Sequence, residues 1–257
     1  MEKLVVIGLG LIGGSLALDL KKRDGYKVCG IDQNPEHIKK ALALGLIEEE
    51  IDFSQLSDAS VVVIAVPVNK IPEVALKVLD LVSEDTLVFD VGSVKNGICK
   101  AIQNHPNRKN FVAAHPLAGT EFSGPEAAVL NLFDNKVTIL CETEKCGWQM
   151  LDKALGLFKK LNMRIKMMNP EEHDRHIAYV SHLSHVSSFM LGKTVLEIEK
   201  NEQYIFDMAS TGFASTVRLA KSSSSTWTPI FLQNKENVVR SLEEYIKNLN
   251  EFKKWKN

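Results

Sequence analysis

The sequence predicts an α/β fold with a doubly wound, mostly parallel sheet, followed by an all-helical C-terminal domain. Three observations carry this. Short apolar, β-rich runs alternate with helix-compatible segments over the first 168 residues, the pattern that builds parallel strands joined by crossover helices. A glycine-rich turn joins the first of these runs to the first helix. After Asn169-Pro170 the alternation stops and only helical periodicity remains, so the domains are expected at 1–169 and 170–257.

The first strand is Leu4-Val5-Val6-Ile7, and Gly8-Leu9-Gly10-Leu11-Ile12-Gly13-Gly14-Ser15 passes directly from it into good helix formers up to Lys22. This is G-x-G-x-x-G in the strand-turn-helix setting that the motif needs, which makes the first domain Rossmann-like and dinucleotide-binding. Gly8 makes the tight turn, Gly10 lets a pyrophosphate approach the backbone, and Gly13 lets helix and strand pack closely; Leu11 and Ile12 belong to the same cofactor turn. A second strand, Lys27 to Ile31, ends at Asp32, where a carboxylate can accept hydrogen bonds from ribose hydroxyls. Gln33 and Asn34 follow it rather than an arginine, so a 2′-phosphate would meet negative charge without a cation, which favours NAD over NADP. The competing reading of Asp32 is an exposed turn acid.

A helix is expected over Pro35 to Leu44, then a continuous apolar strand from Ser60 to Pro67 of the kind buried on both faces. Val66 and Pro67 at its end, and Ser93 further along the chain, are assigned to the cofactor. A helix over 71–81 precedes the strand Thr86 to Val91, which leads into Gly92-Ser93-Val94-Lys95 and a helix to about Gln103. The next strand, Phe111 to Ala114, stops at His115, Pro116 and a small-residue loop ending in Thr120-Glu121. Ligands bind at the carboxyl ends of strands in open α/β sheets, and a histidine titrates near neutral pH, so His115 is placed to accept a proton. The alternative is a core histidine bonded to backbone. Lys136 to Leu140, a helix from about Lys145 to Leu161 and a strand Arg164 to Met168 close the layer.

Glu171 to about Glu199 reads as one long helix. At 3.6 residues per turn, Asp174, Ala178, Ser181, His185, Ser188 and Gly192 fall within about 80° of one another. Apolar residues surround that stripe, so the helix is expected to be buried and the stripe to face a polar ligand or a small-residue helix contact. His173, His176, His182 and His185 diverge around the helix with no acidic set beside them, so no metal is assigned. Breaks are expected at Gly212 and at the run Ser222 to Ser225. Arg218 lies among small and apolar residues; a buried guanidinium needs an anion, either a substrate carboxylate or an internal acid. Trp227 walls the same pocket or belongs to the core.

Of 257 residues, 31 are Lys or Arg and 32 are Asp or Glu, so no net field attracts nucleic acid or an anionic membrane, and small-molecule partners are expected. Met1 runs almost at once into a strand, and no apolar run approaches a membrane span, which points to the cytoplasm. The cysteines Cys29, Cys99, Cys141 and Cys146 lack C-x-x-C spacing and are expected as free, buried thiols.

Taken together, G-L-G-L-I-G-G-S at 8–15, G-S-V-K at 92–95, A-A-H-P-L-A-G-T-E at 113–121, the histidine-rich helix from His173 to His185, T-G-F-x-x-x-x-R ending at Arg218 and the following Trp227 resemble the prephenate/arogenate dehydrogenases of tyrosine biosynthesis. The resemblance runs over nearly the whole chain. It implies an NAD-dependent oxidation of a ring hydroxyl, with decarboxylation and aromatisation of the ring. It implies that His115 takes the hydroxyl proton, that Ser93 helps orient it, and that Arg218 holds a side-chain carboxylate. It also implies that Thr120, Glu121, Asp174, His185 and Trp227 line and gate the pocket, and that a homodimer forms through the helical domain. Two departures stand out: Ala214-Ser215 occupy positions where relatives often carry a basic residue, and no room is expected for an ACT or chorismate mutase domain. A β-hydroxyacid dehydrogenase would need a catalytic lysine on the long helix, where only Lys193 near its far end is available. An NAD-sensing regulator would not need a poised base and an anion anchor. Prephenate and arogenate remain alternatives.

Overall fold

The structure is a computed structural model that describes residues 1–200, 202 and 204–255. The chain divides into two compact units, Met1–His173 and Asp174–Asn257.

The first unit is built on β1 (Lys3–Ile7), β2 (Lys27–Ile31), β3 (Glu49–Glu50), β4 (Val61–Ile64), β5 (Leu87–Asp90), β6 (Phe111–Pro116), β7 (Val137–Cys141) and β8 (Arg164–Met168). They form one sheet in the order β3-β2-β1-β4-β5-β6-β7-β8. Every pairing is parallel except β6 with β7. The strands β4, β5 and β6 are buried along their whole length, as expected of apolar strands covered on both faces. The crossover helices are α1 (Leu11–Asp24), α2 (Pro35–Ala43), α3 (Ile71–Leu81), α4 (Asn96–Ile102) and α5 (Trp148–Lys160). Phe89 of β5 packs edge-on against Phe158 of α5, ring centroids 5.4 Å apart, so sheet and helix share one core.

Because β1 lies between β2 and β4, the chain reverses its direction of travel across the sheet at β1. In doubly wound sheets that reversal opens a crevice at the carboxyl ends of the strands. The edge strand β3 is absent from the sequence expectation. Its two exposed glutamates carry no apolar pattern, and it is held by backbone pairing to Cys29 and Gly30. All four cysteines are free, three buried and Cys146 half-buried.

The helix α6 (Pro170–Ile177) leads into a π-helical turn at Ala178–His182, followed by α7 (Leu183–Glu199), α8 (Thr211–Thr216), α9 (Ser224–Gln233) and α10 (Lys235–Lys254). Two expectations change here. Gly212 lies inside α8 rather than at a break. The helix from Glu171 to Glu199 is interrupted by the π turn, whose extra residue rotates α7 by roughly 100° relative to a regular helix. Asp174 and Ala178 therefore lose their calculated alignment with His185, Ser188 and Gly192.

The last two of those residues serve a close element contact. Ser188 donates its hydroxyl to the Thr216 carbonyl at 3.1 Å and accepts from the Ala220 amide at 3.0 Å. A Cβ on Gly192 would stand 3.6 Å from that of Ala220. Nor is the long helix buried all round: Val180, Met190 and Leu196 are more than half exposed in this chain, and on α7 only Ser188 is buried. Among the described residues no helix is long and apolar enough to cross a membrane.

Candidate active site

The glycine turn follows β1, and each glycine there has a separate physical reason. Gly8 has φ +96°, and a Cβ would stand 2.5 Å from the Ala65 carbonyl oxygen at the end of β4. At Gly13 a Cβ would meet the Gly8 oxygen at 2.0 Å and the Val6 side chain at 3.0 Å, so this glycine is what lets α1 lie against β1. Gly10 has nothing within 4 Å, leaving its backbone face open. Leu11 and Ile12 begin α1, and among the described residues no side chain caps it, so the positive end of the helix is available to an anion.

Asp32 locks this turn. Its carboxylate accepts from the Leu9 amide at 2.8 Å and from the Asn34 amide at 2.9 Å, while His37 Nδ1 stands 3.4 Å away. Beside it, the Ala65 amide extends the sheet by donating to Ile7 at 2.7 Å, and Val66 and Pro67 continue at the same edge.

Two strands further along the sheet, β6 carries His115 at its carboxyl end, with only 8% of the residue exposed. Because β1, β4, β5 and β6 are parallel, His115, the Gly92-Ser93 loop, Val66-Pro67 and the glycine turn all lie at one edge of the sheet. A buried ion pair holds the middle of that edge together. Lys95 bonds Asp90 and donates to the Ala114 carbonyl at 2.7 Å; Asp90 accepts from the amides of Gly92 at 2.8 Å and Ala114 at 3.3 Å. Burial pushes the Asp90 carboxyl up from its usual range, against the pull of Lys95 and the two amides. The pair ties the loop of Ser93 to the residue before His115. His115 itself places Nδ1 2.8 Å from Nε2 of His173, the two rings inclined at 69°.

After His115 the chain runs through exposed Thr120, whose hydroxyl accepts from the Phe122 amide at 3.3 Å, and half-buried Glu121. It then returns to α1, where Ser15 accepts from the Val129 amide at 3.0 Å and Asp19 from the Asn131 amide at 2.9 Å. Burial is the main cause that raises the Asp19 carboxyl. Sequence reasoning missed these anchors; their signal is two polar residues one turn apart on a helix otherwise buried through apolar and small residues.

In the second unit, His185 stacks on Trp227 with centroids 3.4 Å apart and planes 24° from parallel. Its Nδ1 donates to the Ser181 carbonyl at 3.0 Å, which leaves Nε2 as the basic nitrogen of the neutral ring. Burial lowers the His185 pKa, and the Arg218 charge adds to the fall. Arg218 itself corrects an expectation. It sits on a short 3-10 turn after α8 at the surface and is exposed in this chain, so burial gives no argument for an anionic partner. Asp174 is buried, and its carbonyl accepts from Asn234 Nδ2 at 2.6 Å. The same Nδ2 lies 3.2 Å from His182 Nδ1, and Asn234 Oδ1 accepts from Asn237 at 2.8 Å, which fixes the amide. Among the described residues no group of three or more His, Cys, Asp or Glu could hold a metal ion.

Comparison with known proteins decides the family. The family model described as prephenate dehydrogenase, nucleotide-binding domain, matches residues 16–167, and the one described as prephenate dehydrogenase, dimerization domain, matches residues 169–256. The chain belongs to the prephenate/arogenate dehydrogenase family. A prephenate dehydrogenase of Bacillus subtilis is 34% identical over 260 residues, covering 98% of this chain and 69% of that one. The crystal structure of prephenate dehydrogenase from Aquifex aeolicus in complex with hydroxyphenyl propionate and NAD+ aligns with a TM-score of 0.90 at 36% identity, over 99% of this chain and 90% of the other. A Synechocystis arogenate dehydrogenase structure aligns with a TM-score of 0.77 at 30% identity, over 97% and 90% of the two chains. Within such a family, the sheet edge that carries the glycine turn and His115 is the candidate active site of a dehydrogenase.

Proposed function

We propose that this chain catalyses the NAD-dependent oxidative decarboxylation of prephenate to 4-hydroxyphenylpyruvate, with His115 as the base. The observation that carries the reading is the placement of a buried imidazole at the same sheet edge as a glycine turn whose central glycine is open. The dinucleotide fits that turn: Gly8 and Gly13 permit the close packing, Gly10 leaves room for a pyrophosphate, and Asp32, just after β2, would accept from ribose hydroxyls, with no arginine after it. When bound, NAD supplies the hydride acceptor.

The chain's own residues do the rest. His115 hydrogen-bonds the ring hydroxyl and takes its proton, with Ser93 orienting both; a positioned base is worth about 10²- to 10⁴-fold in rate. Arg218 binds the side-chain carboxylate as a bidentate partner. Thr120 and Glu121 in the first unit, and Asp174, His185 and Trp227 in the second, are assigned to substrate binding, and His185 is neutral near pH 7 because its pKa is lowered. The working form is a homodimer through the helical unit.

A second reading, arogenate as substrate, is favoured by the likeness to the Synechocystis arogenate dehydrogenase. The two substrates differ by a keto against an amino group. NADH formation followed in parallel with prephenate, arogenate and a small hydroxy acid tests the choice. The expected result is a kcat/KM for prephenate at least about tenfold above arogenate, or about 1.4 kcal/mol in transition-state binding. The reverse ratio assigns arogenate, and turnover of the hydroxy acid alone removes both.

A further inference from the structure

We propose that His173 is a positioning residue that fixes the tautomer of His115; the proposal rests on the reading of His115 as the base. Between His115 Nδ1 and His173 Nε2, 2.8 Å apart, lies one proton, and which ring owns it decides what His115 can do. If His115 Nδ1 donates, its Nε2 carries a lone pair and can take a proton from a hydroxyl. If His173 donates instead, neutral His115 carries its proton on Nε2 and is a donor, not a base. Free imidazole side chains prefer the proton on Nε2, so an acceptor at Nδ1 is needed to hold the productive form.

The geometry supplies that acceptor in a fixed place. His173 is completely buried in the first turn of α6, with its amide bonded to the Asn169 carbonyl at 3.0 Å. The positive end of a helix disfavours an added cation, so when the pair holds an extra proton it belongs on His115. On the neighbouring strand and loop, Asp90 and Lys95 are paired with each other across the backbone at Ala114. An imidazole therefore plays the orienting part that a carboxylate plays in a hydrolase triad, without adding a negative charge. As the substrate proton reaches Nε2, the Nδ1 proton stays on His115, and the imidazolium so formed keeps its hydrogen bond to His173.

The test uses the full chain with His173→Leu and His173→Gln, the second able to offer a side-chain carbonyl to Nδ1. The first readout is ¹⁵N NMR of His115, which does not depend on the substrate. The Nδ1–H tautomer is expected in the parent chain and in H173Q, and a shift towards Nε2–H in H173L. The second is turnover, with a fall of roughly 10²-fold in H173L, largely recovered in H173Q, and an NAD Kd unchanged within about twofold in both. Retention of the Nδ1–H tautomer in H173L overturns the proposal, as does an equal loss of turnover in both variants that tracks the loss of melting temperature. A tautomer shift without any change in turnover upholds the positioning role and instead removes His115 as the base.

Discussion

The two units differ in how far each completes its own interior. In the first, the strand residues Leu4, Val6, Val61, Val63, Phe89, Val112 and Ala114 are wholly buried within a single cluster that also takes in α1 and α5. In the second, the buried apolar side chains among the described residues are Ile177, Ala178, Ile230 and Val238, while Leu232 and Phe252 are each 67% exposed. A parallel sheet covered on both faces closes its core with its own crossover helices. A set of amphipathic helices without a sheet leaves apolar stripes that another surface must cover. The match of residues 169–256 to a dimerization domain gives that cover a natural source in a second copy.

The largest effect that would sharpen this contrast lies in the first unit, at two glycines of the same turn with opposite surroundings. Gly13→Ala forces a Cβ into the Gly8 carbonyl and is expected to cost about 3 kcal/mol in urea unfolding. Gly10→Ala meets no atom within 4 Å, so its stability is expected to stay within about 1 kcal/mol while NAD affinity falls about tenfold. Unchanged NAD binding in Gly10→Ala would remove the cradle.

Next in size is the helical unit. Ile246 and Leu249 on α10 are about half exposed, and the double substitution Ile246→Glu, Leu249→Glu is expected to weaken self-association at least about tenfold in sedimentation and to lower the melting temperature, whose dependence on concentration belongs to the dimeric parent chain. A parent chain that sediments as a monomer would break the comparison.

The smallest effect is a pH dependence. His185 has a lowered pKa in the folded chain, so below its ordinary value of about 6.5 the unfolded chain binds more protons. The stability is therefore present above that pH and is lost as pH falls from it through the lowered folded value. A drop in the melting midpoint of about 2 °C between pH 7.5 and 5.5 is expected, small because the ring is only half buried and the Arg218 charge is screened by solvent. His185→Gln should flatten the slope; an unchanged slope would assign it to other groups.

How much the sequence disclosed depends on where the physics is local. The glycine turn was legible because steric demands at Gly8 and Gly13 recur at fixed offsets after a strand, and the buried strands because runs such as Val61 to Ile64 leave no polar face. The π turn left no mark in composition, and the amide that holds the Asp174 carbonyl, Asn234, is 60 residues away. The His115 contact spans 58 residues, and nothing in the local pattern around His173 points to a partner so far away in the chain. Arg218 misled for the opposite reason: its apolar neighbours suggested burial, whereas tertiary structure leaves its short turn at the surface.

The proposed chemistry turns on His115 as the base. His115→Asn should leave the NAD Kd within about twofold and lower prephenate turnover by at least about 10²-fold, measured as NADH formation. Turnover equal to that of the parent chain, with NAD bound as before, would contradict it.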